Sequence, residues 1–241
     1  MGDFFMKKRE RQVSTKIKKN VTVAMLCAFA FLCTVVIKIP VAFLTLDIKD
    51  SIIALCTLFF GIVSGVAASI IVPFLELIII SDTGIYGFIM NVISSLMFCL
   101  PVGLIYKYKR TLKGAVLGLV ASVVSMVAVM MLANLVITPY YMNVPTEQVA
   151  ALIPTLLLPF NAVKGVLNAS VVLLLYKPLS RALKKSRLAR LSVFESTTQI
   201  NNNHKKSVLV TAIALVVMII SLVIIFTVLG GSISWFDAIK S

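Results

Sequence analysis

The sequence predicts an all-α membrane protein with seven transmembrane helices, on three observations: apolar composition, charges gathered in blocks, and apolar runs of bilayer length. Of the 241 residues, 60% are hydrophobic and 13% charged, and the mean hydropathy is +1.05. Soluble domains are roughly half apolar. One core of this size cannot hide the excess, whereas a bilayer can act as its solvent. The net charge of +14 raises nucleic acid as a partner, but its placement argues against one. Nineteen of the 23 Lys and Arg fall in residues 7–19, 107–113 and 177–206, and none of these blocks sits on a foldable soluble domain. Cytoplasmic loops carry such excesses, so all three blocks are assigned to the cytoplasm, where anionic headgroups can attract them.

Taken in order, residues 1–19 form a basic cytoplasmic N-terminus. Val21–Ile37 is the first span; it is long for the core of a secretory signal and no small-x-small cleavage site follows, so it reads as a retained helix. Residues 51–80 are apolar throughout but punctuated by Gly61, Gly65 and Pro73. They read as two short helices, about 51–64 and 66–80, joined by a Gly-flanked turn; the alternative is one long bent helix. Topology favours the split, because a single helix would put Lys107–Lys113 outside, against the charge bias. Further spans are Tyr86–Tyr106, Leu112–Ile137 and Leu156–Tyr176, which complete a six-helix membrane domain over 20–180. A basic, polar cytoplasmic linker follows at 181–207, then a seventh span at 208–229 and an extracellular tail at 230–241. External loops are expected at Lys38–Asp50, Ser81–Ile85 and Thr138–Ile153, and they hold four of the nine acidic residues. The linker is long enough that the seventh helix need not pack tightly on the other six.

Polar groups inside a bilayer carry the functional information. Lysine near mid-bilayer costs about 2.5–3.5 kcal/mol, which singles out Lys164. Asn161, Lys164 and Asn168 share one helix face at i, i+3 and i+7, and lipid offers that face no hydrogen-bond partner. It either lines a ligand site, or Lys164 snorkels to the interface while the asparagines join helices. Asn134 and Asn91 stand on other spans. An amide that donates and accepts suits a heterocycle edge of alternating C=O and N–H groups, and interhelical bonding is the plain alternative. For Glu76 that alternative is pairing with Lys164. The four cysteines lie in apolar runs without CxxC spacing and read as packing residues. Ala24 and Ala28 share a face of the first helix, as Gly114, Gly118 and Ser122 do on the fifth, and small residues at this spacing let helices approach closely. No GxxxxGK[ST] or HExxH motif and no carboxylate pair for acid–base work is present, and the single histidine, His204, borders the linker. These residues offer an enzyme no machinery, a metal no cluster and a cofactor no binding motif.

The run Leu158-Pro159-Phe160-Asn161-Ala162-Val163-Lys164-Gly165 closely resembles the start of the sixth helix in riboflavin-specific S components of energy-coupling factor (ECF) transporters. Ala133-Asn134-Leu135 through Pro139-Tyr140-Tyr141 resembles the end of their fifth helix, and Gly103–Gly114 their fourth cytoplasmic turn. The resemblance covers about residues 20–185, and its specific part is the P-F-N-x-x-K run. It implies six helices around a vitamin near the outer face, capped by the first external loop, where Phe43 lies. It further implies ligand contacts from Asn134, Asn161 and Lys164, with Asn91 on the fourth helix joining them. Ala24 and Ala28 match a surface that docks on a membrane scaffold subunit, which two ATPase subunits complete and energise. The chain departs from the flavin members at Asp50-Ser51-Ile52, where Asp-x-Pro is frequent, and at Gly87–Asn91, where Gly-Glu-x-x-Asn is frequent. An S component for another vitamin and a non-transport membrane scaffold are the competing readings.

Overall fold

A computed structural model describes residues 2–81, 83–185 and 204–227 of the chain. The helix α1 runs Gly2–Val36, and a small antiparallel hairpin follows, β1 (Ile39–Val41) and β2 (Leu44–Leu46), with Ile39 opposite Leu46. Next come α2 (Lys49–Phe60), α3 (Ile62–Ile79), α4 (Gly84–Tyr108), α5 (Leu112–Met142), α6 (Thr146–Leu152), a π-helical turn at Ile153–Leu157, α7 (Leu158–Lys185) and α8 (His204–Thr227). Six stretches are long and apolar enough to cross a membrane, within α1, α3, α4, α5, the continuous α6–α7 unit and α8. Val, Leu, Ile, Phe and Met side chains dominate their outward faces, among them Met25, Phe29, Val63, Phe74, Val124 and Leu132.

The expected split of residues 51–80 is present, but its joint is Gly61 rather than Gly65. Gly61 takes φ 92° and ψ 168°, a region open essentially to glycine alone. Gly65 lies inside α3 for a different reason. A Cβ there would come within 1.9 Å of Thr57 Oγ1, so this glycine lets α3 cross tightly over α2. At 12 residues, α2 rises only about 18 Å, and every one of its residues is buried. It is the central post of the bundle.

Around that post α1 contributes the stripe Val23, Cys27, Ala30 and Thr34, all buried, at the 3–4 spacing of one helical face. Thr111 caps α5 by accepting from the Gly114 N–H at 3.1 Å. At the end away from the hairpin the core is closed by Phe59 stacked on Tyr176, whose hydroxyl pairs with that of Tyr106 at 2.8 Å.

Three sequence expectations need correction. The loop Lys38–Asp50 contains the hairpin. The loop Thr138–Ile153 is largely helical: α5 continues through Pro139 to Met142 and stops at Asn143, which caps it with φ 51°, and α6 begins three residues later. Finally, α8 is not detached. It starts at His204, packs along α7, and buries Ala214, Ser221 and Ile225. Most of the expected linker (186–203) and the whole tail (230–241) lie outside the described residues.

Candidate functional site

The hairpin, the first turns of α2 and α7, the end of α3, the start of α4 and the last turns of α5 enclose a cavity of about 160 Å³. All five residues singled out as ligand contacts stand on its wall: Phe43, Asn91, Asn134, Asn161 and Lys164. Local chain geometry explains each placement. Phe43 sits in the two-residue hairpin turn after Ala42, which takes φ 52°. Asn161 and Lys164 follow the π-helical turn, where the Leu158 N–H reaches back to Ile153 O and Pro154 and Pro159 supply no N–H. The wider turn re-aims the face at the head of α7, as π-bulges commonly do at functional sites.

Two of the three wall asparagines, Asn134 and Asn161, bond only to groups one turn away along the chain. Asn134 donates to Met130 O at 2.7 Å and accepts from Thr138 Oγ1 at 3.0 Å, and Asn161 donates to Leu157 O at 2.8 Å. Among the described residues no donor reaches the Asn161 carbonyl oxygen. Asn168 is different: it bonds Ser51 and the Asp47 carbonyl, which ties α7 to the head of α2. Of the face read from the sequence, two members therefore line the cavity and the third is a helix-joining residue.

Sequence reasoning missed the ionic cluster at the cavity floor. Lys164 pairs with Asp47 at 3.0 Å and stands 4.0 Å from Asp50. Lys49 pairs with Glu76 at 2.6 Å and with Asp47 at 3.6 Å. Ser94 and Ser95 donate to Asp50, and Asn91 donates to the same Glu76 oxygen that holds Lys49, at 3.1 Å. All five charged side chains are buried; Lys49 is 1% exposed. Burial pushes the Asp47 carboxyl upward, but the positive charges of Lys164 and Lys49 outweigh it and hold the group below its usual range. The sequence alternative of a Glu76–Lys164 pair is not what forms. Glu76 takes Lys49, and Lys164 takes the two aspartates. Three charges within Asp47-Ile48-Lys49-Asp50, at the head of an otherwise mostly apolar run, were the available signal. It reads equally well as a wet external loop, and only the buried end of α2 decides between the two.

The floor thus sets two ammonium groups against three carboxylates, while Phe43, Tyr86, Met90, Met130, Ile137 and Phe160 supply apolar wall. Such a chamber suits a flat, partly aromatic molecule with polar substituents, since ligand pockets combine apolar walls with a few fixed polar groups. Ala24 and Ala28 are far from it in role: both are exposed on α1, on the side facing away from the Val23–Cys27–Ala30 stripe.

Comparison with known proteins accords with this architecture. Residues 18–176 match the family described as ECF transporter, substrate-specific component. The chain is 31% identical over 178 residues to riboflavin transporter RibU of Staphylococcus aureus (strain TCH60), covering 70% of this chain and 93% of that protein. It is 27% identical over 189 residues to riboflavin transporter FmnP of Bacillus subtilis (strain 168), covering 73% of this chain and 99% of that one. A solved structure, described as the S component of a bacterial ECF transporter, superposes with a TM-score of 0.61 at 30% identity, over 70% of this chain and 99% of its own. The helix α8 lies beyond the family match. With a six-helix bundle, a chamber at one end and two thirds of its length inside the match, the chain belongs to the substrate-specific components of ECF transporters.

Proposed function

We propose that this protein captures riboflavin or a close flavin relative outside the cell and holds it beneath the hairpin for uptake driven by partner subunits. The observation that carries the reading is the convergence of Asn134, Asn161 and Lys164 from α5 and α7 on one cavity, in a chain whose relatives include two riboflavin transporters. The paired asparagines suit the C=O/N–H edge of a flavin ring, and the apolar wall suits its faces. Phe43 and Asn91 complete the contact set from the hairpin and α4. The protein itself is not an enzyme on this reading and needs no cofactor; flavin is cargo. With no phosphate-binding loop in the sequence, energy comes from a scaffold membrane subunit and two ATPases, with Ala24 and Ala28 as the docking face on α1. The basic N-terminus and both later basic blocks face the cytoplasm, the cavity opens outward, and the C-terminus is extracellular.

The test is purification from cells grown with flavin, followed by titration. Flavin absorbance in the purified protein and saturable riboflavin binding are expected. Colourless protein that binds another vitamin and ignores every flavin would sink the assignment. For the docking face, Ala28→Trp is expected to abolish assembly with the scaffold while ligand binding stays near normal, because bulk at a small-residue face forces helices apart. Normal assembly of that variant removes Ala24 and Ala28 from the interface.

A further inference from the structure

We infer that Glu76 is a specificity determinant of the site: its second carboxylate oxygen accepts a hydroxyl of the ligand's polyol chain and selects the unphosphorylated flavin. The inference rests on the flavin reading above. Glu76 lines the cavity and is 5% exposed. Its Oε2 takes both Lys49 Nζ and the Asn91 amide, while Oε1 is buried without any partner among the described residues. Buried carboxylate oxygens are nearly always bonded, and leaving one bare is costly. The carboxylate torsion is broad and roughly two-fold, so Oε1 can turn toward the chamber without releasing the α3 backbone.

The chemistry of the missing donor follows from what surrounds it. A flavin ring presents its N–H between two carbonyls. A carboxylate set against that edge meets two acceptors for each donor, whereas an amide meets one of each. An alcohol has no such flanking acceptors, and O–H···O⁻ bonds are short and strong. The ring therefore goes to Asn134 and Asn161, and the sugar-alcohol chain to Glu76. A phosphate ester on that chain is rejected by the same group. The ammonium groups of Lys49 and Lys164 are already committed to three carboxylates, and Asp47, Asp50 and Glu76 repel a dianion.

The experiment compares three ligands on the full-length protein in detergent: riboflavin, its mononucleotide, and lumiflavin, which keeps the ring but has a methyl in place of the polyol. Unmodified protein should bind riboflavin more tightly than either. In Glu76→Gln, riboflavin affinity should fall about tenfold or more, lumiflavin affinity should stay within about threefold, and discrimination against the mononucleotide should shrink. Because Glu76→Gln leaves Lys49 with only the longer pair to Asp47, the double variant Glu76→Gln/Lys49→Gln, which removes both charges, should show the same collapse of the riboflavin-to-lumiflavin ratio. An equal loss for riboflavin and lumiflavin in both variants makes Glu76 purely structural and overturns the inference alone. Failure of the unmodified protein to bind any of the three overturns the flavin reading, and this one with it.

Discussion

At the scale of single residues, the two conspicuous polar side chains of α7 have different jobs although they stand three apart. Lys164 is a structural cation as well as a proposed ligand contact, since its ammonium group pairs with Asp47 and faces Asp50. Removing one member of a buried charge set leaves the others uncompensated, at a cost of about 3–5 kcal/mol. Lys164→Met is therefore expected to lower the thermal unfolding temperature in detergent markedly as well as to weaken binding. Asn161 donates only to the carbonyl one turn back in its own helix, so Asn161→Ala should leave the unfolding temperature nearly unchanged. Its effect should appear in affinity, about two- to tenfold for one neutral hydrogen bond. Equal thermal shifts for the two variants would contradict this division. The sequence revealed the shared face of Asn161 and Lys164, because period and polarity suffice for that. It did not reveal the partners of Lys164, which lie 117 positions away at Asp47 and depend on how the bundle closes.

At the scale of elements, the apolar runs were legible and their ends were not. Hydropathy marks where a chain can span, but Pro139 and the polar run after it concealed that α5 continues to Met142. The hairpin was hidden for a similar reason, its strands being three residues each. Element α8 shows a larger gap between reading and structure, since nothing in its uniform apolarity says what it touches. Ile225 is fully buried in a cluster with Val41 and Leu46 of the hairpin and Phe160 and Leu167 of α7, flanked by Met218 and Leu222. The helix that lies beyond the family match thus packs along α7 and shares one buried cluster with the cap of the cavity and the cavity-lining Phe160. Ile225→Ala is expected to speed ligand dissociation several-fold, because the hairpin loses packing on its outer side, with a smaller change in the association rate. Deleting residues 204–241 should do the same more strongly. Unchanged dissociation in both proteins would mean that the hairpin holds its place without α8.

At the scale of the whole molecule, charge and span count support the orientation proposed above. Basic blocks at 7–19, 107–113 and 177–206 fall on one side only if α2 and α3 form a re-entrant pair, and the turn at Gly61 makes them one. The head of α7 lies at the cavity and its far end is basic, so on that orientation α7 descends from the outer face to the cytoplasm. Helix α8 then begins at His204, on the cytoplasmic side, and its Ile225 end reaches the hairpin beside the cavity. At 24 residues it rises about 36 Å, enough for a hydrocarbon layer of about 30 Å. It carries no acidic residue, and its only basic ones are at its start, so it lacks the charged face an interfacial helix needs. On the proposed orientation the chain therefore ends outside the cell. A cysteine replacing Ser241 should react with a membrane-impermeant thiol reagent in intact cells. The natural background is low, because Cys27, Cys56 and Cys99 are buried and Cys33 is partly so. Labelling that appears only after lysis would put the C-terminus in the cytoplasm and overturn the proposed orientation.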